Sequence, residues 1–233
     1  MSGYVKFERK DLPFDYGKYM DCPEVQEPFK KFLEIKDDEY DKEKDMKYWN
    51  KANEEKNISK KIKILMKGAK KGGAECAKEL GIMYGSGNGV TKDSEKAEVY
   101  LKSAAKCGIP DAMFYLALLY TNKKDKITES LDWFCKAAVR GSEMAFIKIR
   151  DLSANDAVKT QFEVRLSIYF SEIYDKTDRT AKEDRILGLF FYVGLCCLKN
   201  MKIAKEYWAE GAQKGDSRCR LLQKDSILEA IFR

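Results

Sequence analysis

The chain has 233 residues, 44% hydrophobic and 35% charged, with 4 Pro and 15 Gly, a composition that excludes disordered, collagen-like and disulfide-scaffold classes and suits one extended domain or two small ones. Histidine is absent, which removes Ser-His-Asp and Cys-His nucleophile pairs, imidazole zinc sites and histidine acid–base catalysis together. The formal net charge of +6 is uneven: residues 1–55 hold 11 Lys/Arg against 15 Asp/Glu, so an acidic front precedes a body of net +10.

The first residues, MSGYVKFERKDLPFDYGKY, carry charges where a signal peptide needs an apolar stretch, and no run approaches the roughly 18 apolar residues of a membrane span. A cytoplasmic location is the expectation. Tyr4, Phe7, Phe14, Tyr16, Tyr19, Phe29, Phe32 and Tyr40 alternate with acids and with Pro13, Pro23 and Pro28, a pattern that predicts extended chain first and helix from about Glu24. Residues 1–40 form an N-terminal extension. It either caps the open end of the helical body, as repeat arrays require, or lies in a groove as a regulatory tail.

From residue 41 the chain is periodic. MKGAKKG (66–72), KSAAKCG (102–108), CKAAVRG (135–141) and AEGAQKG (209–215) each place two small residues three and four positions before a glycine. Gly72 to Gly108 is 36 residues, Gly108 to Gly141 is 33 and Gly141 to Gly215 is 74, the last interval leaving room for one divergent unit. Eight positions before these glycines stand Ile64, Tyr100, Trp133 and Tyr207; four positions after stand Cys76, Ala112, Ala145 and Cys219. Apolar residues at three- and four-residue intervals mark each unit as a helical hairpin. Gly108 and Gly141 are expected helix ends, and the small pairs are expected where two helices approach closely.

Lys56, Lys60, Lys61, Lys63, Lys67, Lys70 and Lys71 crowd one segment without an acid. Such a helix attracts polyanions, or it is a solvated face offset by the acidic run 37–41. The loop GSGNGV follows a helix and lacks the Gly-Lys-Ser/Thr ending of a phosphate loop, so it reads as a tight turn. The seven cysteines, Cys22, Cys76, Cys107, Cys135, Cys196, Cys197 and Cys219, form no C-x-x-C pair and read as reduced thiols, Cys76 and Cys219 as small core residues. ILGLFFYVGLCCL (186–198) is apolar nearly all round and predicts a buried helix or a dimer interface.

Residues 74–108, AECAKELGIMYGSGNGVTKDSEKAEVYLKSAAKCG, resemble a Sel-one-like repeat, a relative of the tetratricopeptide repeat. The likeness rests on Ala77, Leu80, Gly81, Tyr84, Gly87, Gly89, Val90, Asp93, Lys96, Ala97, Tyr100, Lys102, Ala104, Ala105 and Gly108. The next unit keeps Leu116, Ala117, Tyr120, Trp133, Lys136, Ala137, Ala138 and Gly141 with a shorter connection, TNKKDKIT. Residues 58–73 resemble a second helix, with 47–55 as a weak first one. The likeness is best over 58–146 and divergent over 147–233, returning at 204–219.

The resemblance implies an all-α, right-handed superhelical solenoid of stacked helix-turn-helix units over 41–233, without catalysis or cofactor. It implies a scaffold or adaptor that binds a partner protein or peptide. Helical spacing then points to Glu79, Met83, Tyr115, Leu118, Lys148 and Arg150 as groove residues. The alternative is a basic polyanion- or nucleic-acid-binding repeat protein using the seven lysines.

Overall fold

A computed structural model of the chain describes residues 39–224; the extension over 1–38, Cys22 included, lies outside them. Every regular element among the described residues is helical. They divide into two compact units, with the boundary between Met144 and Ala145.

In the first unit α1 (Lys42–Glu54) pairs with α2 (Ile58–Lys70), α3 (Ala74–Ser86) with α4 (Ser94–Lys106), and α5 (Pro110–Thr121) with α6 (Ile127–Val139). Each hairpin packs on the next through α2–α3 and α4–α5, and the first helices also touch one another, α1 on α3 and α3 on α5. This is the stacking of a solenoid, in which each unit buries its apolar side against its neighbours. Leu65, Cys76, Leu80, Met83 and Ala97 form the core where the first two hairpins meet. The first helix begins at Lys42, five residues before the expected Lys47, because Asp41 caps it by accepting a hydrogen bond from Lys44 N at 2.9 Å.

Gly108 and Gly141 end their helices in the left-handed region, at φ 79° and 87°, where a β-carbon is penalised. The small pairs do more than join the two helices of a hairpin. A β-carbon on Gly68 would collide with Cys76 Sγ of the next hairpin and lie 3.0 Å from Tyr48 Cβ of its own. A β-carbon on Gly211 would lie 2.6 Å from Cys219 Sγ. The cysteine at the small position is therefore accommodated by a glycine eight residues earlier. The unit with Ala112 there has Ala104 instead, both fully buried.

No side chain of its own caps α3, whose N-cap is Gly73. Asp45, 2% exposed on α1, takes that place: its carboxylate accepts from Glu75 N at 2.7 Å and Cys76 N at 3.3 Å. The negative charge sits at the positive end of the helix dipole. A residue of one hairpin thus closes the helix of the next, a tie that local sequence does not announce.

The second unit holds α7 (Glu143–Leu152), which starts just before the boundary, then α8 (Asp156–Asp175), α9 (Ala181–Val193), α10 (Met201–Gln213) and α11 (Ser217–Leu222). The expected divergent unit is the interval of α7 and α8. α8 packs on α9 through Phe170, whose ring meets Phe190 at 5.1 Å and Phe191 at 6.0 Å. The apolar stretch 186–198 is not one helix. α9 ends at Val193 because Gly194 turns left-handed at φ 74°, so Cys196 and Cys197 stand in the following turn, both buried.

Candidate functional site

The first unit contains a cleft of about 540 Å³ between the C-terminal half of α3 and the adjoining α5, within the size range of small binding sites. Its walls are Ile82, Leu101, Tyr115, Leu118 and Leu119, and its rim carries Ser86, Ser94, Asn122, Lys92 and Lys123. No Asp or Glu lines it. The sequence builds this shape by helix register: Tyr115, Leu118 and Leu119 recur at three- and four-residue spacing and so share the face of α5 turned to α3. Gly81 sets the depth, since a β-carbon there would lie 2.6 Å from Leu101 Cγ.

One rim lysine is held in a network. Glu98 accepts from Lys123 Nζ at 2.6 Å, Lys126 Nζ at 3.2 Å and Tyr120 Oη at 2.8 Å, and pairs with Lys102 Nζ at 2.7 Å. The three ammonium groups also surround the Tyr120 ring, Lys126 nearest at 4.4 Å from its centroid. Burial pushes the Glu98 carboxyl up, but the hydrogen bonds from Lys102, Lys123, Tyr120 and Lys126 outweigh it and hold it below the usual carboxylate range. Of these three ammonium groups only that of Lys123 reaches the rim of the cleft.

Of the six predicted groove residues, Tyr115 and Leu118 line the cleft, Tyr115 being 37% exposed with its ring edge-on to Phe114 at 5.3 Å. Glu79 is half-buried and bound to Lys61 at 3.3 Å. Met83 is corrected: at 4% exposure it belongs to the core with Leu65 and Leu80 and presents no surface to a partner. Lys148 and Arg150 are half-buried on α7 in the second unit, Arg150 reaching Asp151 at 2.8 Å.

The missed wall residue is Ile82. Its signal was in the repeat, because the 36-residue interval between Gly72 and Gly108 that maps Tyr115 onto Glu79 maps Leu118 onto Ile82 and not Met83. Of the seven lysines, Lys56, Lys60, Lys63, Lys67, Lys70 and Lys71 are exposed, while Lys61 is tied to Glu79.

The described residues hold no cluster of three or more Cys, Asp or Glu side chains placed for a metal ion. Cys76 and Cys197 are thiols, and burial pushes both far above the usual thiol range, with a hydrogen bond to Asp45 adding to the effect at Cys76. Buried, protonated sulfur is inert packing. No helix among the described residues is long and apolar enough to cross a membrane.

Residues 74–109, 110–142 and 185–216 match the family model of the Sel1 repeat. Among solved structures the chain is similar to a Sel1 repeat protein from Oxalobacter formigenes, at 26% identity over 78% of this chain and 73% of that one, with a TM-score of 0.41. It is also similar to c5321, a protective antigen of uropathogenic Escherichia coli strains displaying an SLR fold, at 21% identity and a TM-score of 0.42. That match covers 88% of this chain but 42% of c5321, so this chain spans under half of that protein's length. No curated protein matches.

Proteins built from Sel1 repeats generally act as protein-interaction scaffolds. The third match corrects the expectation that the likeness resumes only at 204, since it begins at 185, in the apolar helix α9. Two of the matched segments are consecutive on α3 to α6, and the third lies on α9 and α10.

Proposed function

We propose that this protein is a non-catalytic scaffold that binds a segment of a partner protein in the cleft between α3 and α5. The observation that carries the reading is the wall of Ile82, Leu101, Tyr115, Leu118 and Leu119 on rigid stacked helices. An apolar strip with a polar rim is the usual build of a recognition site, and a preformed one avoids the cost of ordering the receptor. Buried thiols fit a reducing, cytoplasmic setting.

The test is affinity capture from native lysate with the purified chain, at low and high salt and with nuclease, quantified against Tyr115→Glu/Leu118→Glu. A discrete protein retained at high salt, indifferent to nuclease and depleted at least about tenfold by the double variant supports the reading; tenfold corresponds to about 1.4 kcal/mol. A partner captured equally by both chains removes the cleft from the account.

A further inference from the structure

The second charged surface lies on α2 and is independent of the cleft. At 3.6 residues per turn, Lys60, Lys63, Lys67, Lys70 and Lys71 fall within an arc of about 100°, and all five are exposed. Lys56, also exposed, precedes the helix. The opposite face is committed to the fold, with Leu65 and Gly68 buried and Ile62, Ile64 and Ala69 half-buried beside them. Among the described residues the side chains of Lys60, Lys63, Lys67 and Lys70 take part in no ion pair or hydrogen bond.

This arrangement opposes stability. Like charges on one helix face repel, and the first turn of α2 holds Lys60 and Lys61 with no acid to match the helix dipole. The corresponding outer face of α4 shows the ordinary solution, with Glu95, Lys96, Val99, Ser103 and Lys106 exposed together. A solvated surface needs mixed charge, and α2 lacks it.

We infer that this lysine row of α2 binds the phosphate backbone of a duplex nucleic acid without reading its sequence. Five ammonium groups along roughly 16 Å of helix, Lys71 among them lying over the Tyr48 ring at 5.4 Å, give a positive charge about every 4 Å on average, comparable with the roughly 3.4 Å axial spacing of phosphates on one duplex strand. The arc holds no aromatic ring to stack an unpaired base and no Arg, Asn or Gln to read a base edge. Protein interfaces are depleted in lysine, whereas nucleic-acid interfaces are strongly positive. A membrane-surface helix inserts its apolar face, and here that face is buried in the repeat.

The test is fluorescence anisotropy of a labelled 24-base-pair duplex of arbitrary sequence with the full chain, across a potassium chloride series. Five phosphate contacts predict a slope of log K against log salt of about −4.5. Lys60→Gln/Lys63→Gln/Lys67→Gln/Lys70→Gln is expected to bind at least about 30-fold more weakly at 50 mM salt, with a slope near −1. The charge-matched Lys106→Gln/Lys124→Gln/Lys199→Gln/Lys202→Gln, all exposed and elsewhere, should stay within about twofold, with circular dichroism confirming both folds. Equal losses in the two variants would make the effect one of net charge and overturn the inference. So would a shallow wild-type slope, or tighter binding to anionic phospholipid vesicles than to the duplex.

Discussion

The hairpin α3–α4 and the hairpin α9–α10 correspond position by position at a constant offset, although they belong to different units. Gly87 and Gly194 end the first helices at φ 82° and 74°; Asp93 and Asn200 cap the second helices and donate their backbone N–H to Tyr84 O and Phe191 O. Tyr84 stacks on Tyr100 at 5.8 Å, and Phe191 stacks on Tyr207 at 5.6 Å. The backbone plan is shared while the fillings differ. Where α3–α4 has Leu101 against Gly81, α9–α10 has Trp208 against Gly188, and where its turn has Gly89 at φ 75°, the other has Cys196 at φ 60°. A repeat therefore fixes where backbones meet and leaves each junction to solve its own volume.

The sharpest break of that comparison is to put the same methyl into both close approaches. In Gly188→Ala the new β-carbon collides with Trp208 Nε1, a fully buried ring whose N–H donates to Arg185 O at 3.2 Å. Indole cannot turn aside, so the overpacking cost should exceed about 3 kcal/mol even after the helix-propensity gain of alanine. In Gly81→Ala the obstacle is Leu101, 2% exposed but flexible, and about 1 to 2 kcal/mol is expected. Denaturant midpoints of the two variants check the order, and a larger loss for Gly81→Ala would sink the argument.

A second comparison sets the Gly68–Cys76 junction beside Ala104 and Ala112. Gly68→Ala should cost about 2 kcal/mol by overpacking, and Cys76→Ala about 1 to 2 kcal/mol for the lost sulfur. The double variant recreates the alanine pair of the next repeat, so it should cost less than the sum by about 1 to 2 kcal/mol, a coupling that a double-mutant cycle measures directly. Additive losses would show that the two positions do not compensate. The Tyr48 β-carbon, 3.0 Å from the new methyl, keeps the recovery incomplete.

Legibility in the sequence tracks range. Glycine at the helix end, a small pair before it and an aromatic four residues earlier are local grammar, so the hairpins, the ends at Gly108 and Gly141 and the burial of Cys76 and Cys219 could be read from spacing. Tyr115 and Leu118 also came from spacing; Ile82 was lost to Met83 because a one-residue slip on a helix turns a side chain by about 100°. The repeat on α9 was hidden by its own apolarity: Leu187-Gly188 and Gly194 keep the offsets of Leu80-Gly81 and Gly87, yet the stretch reads as one buried helix until Gly194 is seen to turn. Capping of α3 by Asp45 and caging of Glu98 join residues 30 and 28 positions apart, beyond any helical period. The lysine row is the reverse case, since spacing alone gives its arc and the fold adds only which side is buried.

The smallest expected effect is a pH dependence that separates the α4–α5 junction, with its half-buried acid among lysines, from the rest of the chain. Glu98 titrates below its ordinary value when folded, so the stability it contributes is complete above the unfolded carboxylate pKa near 4.3 and is lost as pH falls through the lower folded value. Glu183, also lowered, by hydrogen bonds from Thr180 and Lys176 that outweigh its burial, adds a loss of the same sign. Glu163, raised by burial, acts in the opposite sense. The difference between wild type and Glu98→Gln isolates the junction: the wild type should be more stable by about 1 kcal/mol at pH 7, a partly exposed pair's worth, and the gap should narrow steadily below pH 4. A gap that stays constant down to pH 2 would mean that the difference between acid and amide does not come from the ionised carboxylate, and that the network's charge contributes nothing to the fold.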